Sequence, residues 1–231
     1  MRLDGWFPWL IFGAIVLLAA AGGLLGVVSE RRRRTTLAQI AEQMGLAFTE
    51  EAADLLAALD GLPLFSRGGA RRISNLVHGD TDEVSLRVFD YRYTTGSGKN
   101  AHTYRQTVVC FQSPELNLPH FELKPQSFLH GISKLFGYQD IDFPSHPKFS
   151  RSFLLRGTDE PAVRKLFTAA LLSFCESRPQ IHIEGQGQRL VFYRAAKRVK
   201  PEQFRELMAE GFAVYRQFQP LGSGVGPDLR T

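Results

Sequence analysis

Asp140, Asp142 and His146 stand together in the stretch QDIDFPSHP, two carboxylates and an imidazole within one loop. Such a trio suits a divalent metal or an acid–base pair. One loop, however, supplies no outer layer of partners to orient such ligands. Asp and Ser beside Pro are also common turn formers, which makes the stretch a turn with Phe143 plugging the core. None of the six histidines stands in H-E-x-x-H or another metal-ligand spacing. No Ser lies in G-x-S-x-G, and neither Cys110 nor Cys175 lies in C-x-x-C, so both read as reduced, buried thiols. The expectation is a protein without catalysis, cofactor or bound metal, with the 140–146 loop as the alternative.

A second candidate is the glycine-rich YTTGSGKNAHTYRQ, Tyr93 to Gln106. A phosphate-binding P-loop needs a Gly where this chain has Tyr93 and a Ser or Thr where it has Asn100. The residues after it read as a strand, whereas a P-loop opens a helix. GSGKN is therefore the turn of a hairpin, its glycines supplying positive φ. EGQGQRL lacks the third glycine of a dinucleotide fingerprint and is likewise a hairpin turn, bent around Gly185 and Gly187. Tyr91, Tyr93 and Tyr104 lie close to Arg87, Arg92 and Arg105 on the paired strands. An aromatic, basic hairpin of this kind offers a docking surface for a protein or a headgroup, although cross-strand pairing uses the same residues. His182 and Glu184 share one strand face and are placed to pair.

The elements that must carry these residues emerge from periodicity. TTLAQIAEQMG spaces Leu37, Ile40, Ala41 and Met44 as a helix stopped by Gly45. TEEAADLLAALDG reads as a second helix, capped by Thr49 and ended by Gly61. RRISNLVHG, EVSLRVFDYRYTT, HTYRQTVVCF and HFELKP are rich in Val, Phe, Tyr and Thr and read as antiparallel strands. SFLHGISKLFGYQ is a short helix. FSRSFLLRG is a strand, and TDEPAVRKLFTAALLSFCES is one helix capped by Thr158 or Asp159. QIHIEGQGQRLVFYR is a hairpin, and PEQFRELMAEGFAVYRQF a helix from Pro201. This order is α+β, an N-terminal transmembrane helix followed by a mostly antiparallel sheet with packed helices. A division near Pro144 would separate a strand-rich half from a βαββα half.

Trp6 to Val28 are 23 residues without a charge, about 34 Å long as a helix and enough to cross a hydrocarbon core. Trp6 and Trp9 suit the membrane–water boundary, and Arg31, Arg32, Arg33 and Arg34 come next as a block held on the cytoplasmic side. The length of the run and its stop-transfer arginines distinguish it from a cleaved signal peptide. The expected plan is a short external N-terminus (1–5), a transmembrane helix (6–28) and a juxtamembrane polybasic segment (29–34). A cytoplasmic α+β domain (35–218) and a loose, glycine-rich tail (219–231) complete it. The four arginines are placed to hold anionic lipid headgroups. Gly22 with Gly26, and Ala19 with Gly23, would let two such helices approach as a homodimer.

Apolar residues make up 44% of the chain and Phe alone counts 18, ample for a packed core. Of the net charge of +5, the first 34 residues supply three, leaving +2 on the remainder and no electrostatic case for nucleic acid. FDYRYTTGSGKNAHTYRQTVVCF, FGYQDIDFPSHPKFSRSFLLRGTDEPAVRKLF and IEGQGQRLVFYR, following one N-terminal span, resemble a group of uncharacterised bacterial membrane proteins. The second half is also similar in layout to a broader domain-of-unknown-function family. The resemblance spans about residues 30 to 218 and implies a bacterial, membrane-anchored domain with no established activity. The sequence thus leads to a binding or scaffold module at the inner membrane. Its partners would be the bilayer and a protein docked there, with anionic-lipid sensing as a further alternative.

Overall fold

The computed structural model describes residues 7–127 and 140–219; of the side chains before residue 21 it describes Phe12 and Leu17. One uninterrupted helix, α1 (Phe7–Gln43), opens the chain. It ends at Gly45, whose φ of +67° is a left-handed stop that suits glycine. Next come strand β1 (Ala47–Glu51), two short helices α2 (Ala53–Ala58) and α3 (Pro63–Ser66), and strands β2 (Gly69–Asp80), β3 (Ser85–Thr95), β4 (His102–Gln112) and β5 (Leu118–Pro125). After residue 140 come α4 (Pro147–Ser152), β6 (Phe153–Gly157), α5 (Glu160–Leu166), α6 (Ala169–Glu176), β7 (His182–Gly187), β8 (Arg189–Tyr193) and α7 (Phe204–Arg216).

The strands join in one antiparallel sheet of order β1-β2-β3-β4-β8-β7-β5-β6. β7 and β8 are thus inserted between strands that precede them in the chain, so the division near Pro144 falls inside a continuous sheet. The pleat sends alternate residues to two cores. On one face Leu86, Val88, Val109, Phe111, Leu190 and Phe192 pack with α1 and the later helices around Phe121, Phe149 and Phe167. On the other face Phe89, Tyr91, Tyr93, Val108, Val191 and Tyr193 pack under Leu62, Leu64 and Phe65.

Several local expectations are corrected. Thr49 caps no helix. It lies in β1, opposite Leu76, where pairing at the sheet edge outweighs the helical preference of Glu50 and Glu51. The long helix expected from residue 158 is two: Asp159 caps α5 by accepting from Ala162 N at 3.0 Å, and Thr168 caps α6 by accepting from Leu171 N at 3.4 Å. The strand read in FSRSFLLRG begins only at Phe153, because Pro147 starts a helical turn first. Gly185 lies within β7, leaving room for the Phe121 ring, and the hairpin bends at Gly187, φ +57°. GSGKN does form the turn between β3 and β4, with Gly96 and Gly98 at positive φ. The helix expected in SFLHGISKLFGYQ and the tail lie outside the described residues, apart from their first residues.

Candidate functional site

The charged residues before Thr35 are not a uniform basic strip. Arg33 turns into the sheet and grips Asp90 with two hydrogen bonds, Nε to Oδ2 and Nη2 to Oδ1, each 2.8 Å. Its third nitrogen, Nη1, donates to the Val199 carbonyl at 2.6 Å. Asp90 also accepts from Arg198 Nε, Asn75 Nδ2 and Thr107 Oγ1, each at 2.9 Å. Arg198 reaches on to Glu30, with Nη1 to Oε2 at 2.7 Å and Nη2 to Oε1 at 2.6 Å, and Asn75 Nδ2 donates to the same Oε1 at 2.9 Å. One helix, three strands and the segment before α7 therefore converge on two carboxylates.

Asn75 reaches this cluster from a bulge in β2, where the register shifts between Ser74 and Val77 and its φ is +53°. Asn tolerates that left-handed conformation better than most residues. Burial alone would raise the Asp90 carboxyl, but the hydrogen bonds and charges of Arg33 and Arg198 outweigh it and hold it below the ordinary range. Glu30 is pulled down to about 2, first by its hydrogen bond from Arg198. Both carboxylates are thus charged throughout the physiological range.

Beside the cluster opens a cleft of about 190 Å³, lined by Arg34, Arg72, Arg92, Arg105 and Arg198 with Glu30 and Asp90. Three of these arginines form a row across adjacent strands, Arg72 opposite Arg92 and Arg92 opposite Arg105. Like charges directly opposite one another destabilise a sheet. Arg72 pairs with Glu51, and Arg34 with Glu50 at 2.9 Å. Neither the Arg92 nor the Arg105 side chain has an ion pair or hydrogen bond among the described residues. Arg34 Nε is a buried donor that lacks a partner there.

This geometry redistributes the expected site residues. Arg33 and Arg34 are engaged by protein carboxylates, so of the four arginines proposed for headgroups only Arg31 and Arg32 project freely to solvent. The docking surface of Tyr91, Tyr93, Tyr104 and Arg105 is split by the pleat. Tyr91 and Tyr93 are 1% and 3% exposed, stacked with Tyr104 and tilted against Phe65 on one face, while Arg105 stands on the other. Asp140 caps the sheet by accepting from Leu155 N at 3.0 Å. Burial raises its carboxyl. Asp142 lends its carbonyl to Arg164, whose guanidinium also lies over Phe143, and His146 Nδ1 lies 3.1 Å from Ser145 Oγ. The shallow cleft beside that loop takes in Asp140 and Asp142 but not His146. Among the described residues no group of His, Cys, Asp and Glu is arranged to hold a metal ion. Glu184, fully buried, accepts from Tyr193 OH at 2.8 Å and Leu64 N at 2.9 Å, while His182 stacks on Tyr193.

The arginine row carried one legible signal. A hairpin pairing Thr95 with His102 forces Arg92 opposite Arg105 by counting alone. Nothing local announces Asp90, Arg72 or Arg198, which reach the cleft from separate strands and a distant loop.

Among the described residues no helix is long and apolar enough to cross a membrane; most side chains of the Trp6–Val28 run lie outside those residues. No protein-family model and no curated protein matches the sequence. In fold the chain is similar to the crystal structure of the mycobacterial trehalose monomycolate transport factor A, TtfA. The TM-score is 0.56 at 16% identity, over 81% of this chain and 90% of that one.

Proposed function

We propose that the chain is a binding module held at the inner face of a bacterial membrane by α1, with the arginine-lined sheet face as its working surface. One observation carries this reading. The helix leaves the sheet without a break, and the large apolar side chains described in its uncharged part are exposed: Phe12, Leu17, Leu24, Leu25, Val27 and Val28 are 45–72% exposed. Exposed apolar surface of that extent marks a membrane or partner site. The stop-transfer arginines favour the bilayer, with the sheet on the cytoplasmic side. The fold likeness to a trehalose monomycolate transport factor supports a second reading, an accessory factor in transport.

Membrane fractionation with alkaline extraction, combined with C-terminal reporters, tests the first reading. Retention in the pellet with a reporter active only in the cytoplasm is expected. A chain released by carbonate, or a reporter active only in the periplasm, would refute it. Crosslinking within intact membranes tests the second, through recovery of a transporter beside the chain.

A further inference from the structure

The cleft has an unbalanced charge with a definite position. Six arginines (33, 34, 72, 92, 105 and 198) face four carboxylates (Glu30, Glu50, Glu51 and Asp90), and the excess rests on Arg92 and Arg105. Mutual repulsion across β3 and β4 costs stability, and the fold offers no carboxylate among the described residues to relieve it. Two adjacent guanidiniums, with Arg34 Nε buried and unpartnered alongside, present forked donors that match the oxygens of a phosphate group. The carboxylates that also line the cleft are already engaged, because Glu30 and Asp90 accept from Arg33, Arg198 and Asn75. The cleft also lies against α1, which contributes Glu30 and Arg34 to its lining.

We infer that this cleft binds a phosphate-bearing anion, with Arg92 and Arg105 as its main ligands and Arg34 and Arg72 at its rim. The headgroup of an anionic phospholipid is one source, and it rests on the membrane reading above; a free phosphate is the other.

The test uses the full chain in phosphatidylcholine nanodiscs, titrated calorimetrically with inorganic phosphate at low salt. Retention of phosphatidylglycerol from mixed nanodiscs is followed in parallel by native mass spectrometry. Either ligand is expected to bind the wild type and to bind R92Q/R105Q ~10-fold or more weakly given the strength of charge-assisted pairs, and inorganic phosphate is expected to bind R31Q/R32Q unchanged. Without ligand, R92Q/R105Q should melt at or above wild type, since repulsion has been removed; if it melts lower, the single variants R92Q and R105Q carry the comparison. Phosphate binding without lipid retention identifies a free anion, and lipid retention alone identifies the headgroup. Binding of neither ligand overturns the inference, as does equal binding by R92Q/R105Q or an equal loss of phosphate binding in R31Q/R32Q. A chain that fails to enter nanodiscs would sink the membrane reading alone, because the phosphate titration of the same full chain in detergent or buffer still decides the cleft.

Discussion

At the scale of single residues, the chemistry concentrates where helix and sheet exchange charge. Glu30 is half-exposed, yet two nitrogens of Arg198 and the Asn75 amide hold its carboxylate. Its carboxyl falls from the ordinary 4.5 to about 2 on folding. A group depressed by folding stabilises the native state above its unfolded value, and that contribution disappears as pH falls through the folded one. The melting temperature of wild type should therefore exceed that of Glu30→Gln by a constant margin above pH 4.5, a margin that shrinks toward zero as pH approaches 2. A margin unchanged across that window would show that the carboxylate does not lock the helix. Arginine side chains in sequence give no hint of such division of labour: Arg31 and Arg33 differ only in helical phase, yet one meets solvent and the other a buried aspartate.

Elements were legible where a local pattern agreed with its tertiary setting. The β3–β4 hairpin combined alternation with a glycine turn and formed as read. The β1 strand was hidden because Phe48, Thr49 and Glu50 have no strand alternation of their own; they are extended because β2 is there to pair with them. The α5–α6 break was equally hidden, since Thr168 interrupts an apolar stripe that otherwise runs through. In β7 the constraint is steric. A side chain at Gly185 would enter the Phe121 ring and touch Leu118, both enclosed in the main core. Gly185→Ala should cost about 2 kcal/mol, the usual range for overpacking, read as a lower denaturation midpoint with an unchanged slope. Wild-type stability in this variant would mean that the ring moves aside freely.

For the whole molecule, the decisive fact is that the sheet is not built in chain order. β4 finds its second neighbour in β8, and β5 lies between β6 and β7. A fragment ending near residue 144 would expose the facing edges of β4 and β5 and lose the phenylalanine core contributed by residues 149–167. Residues 35–144 expressed alone should aggregate or lack a cooperative melt; a soluble fragment with a sharp transition would show two independent units after all. The full chain should unfold as one unit, because every hydrogen-bonded ladder from β1 to β6 is continuous.

The unbroken α1 has a geometric corollary. Each residue added to an α-helix rotates the rest of the chain by about 100° and advances it about 1.5 Å. Since Arg33 and Glu30 bolt that rod to β3 and to the segment before α7, the angular heading of the domain about the rod's axis, and its distance from the exposed apolar residues, are geared to the helix rather than left to a swivel. The arginines of β3 and β4 therefore hold one fixed bearing relative to that segment.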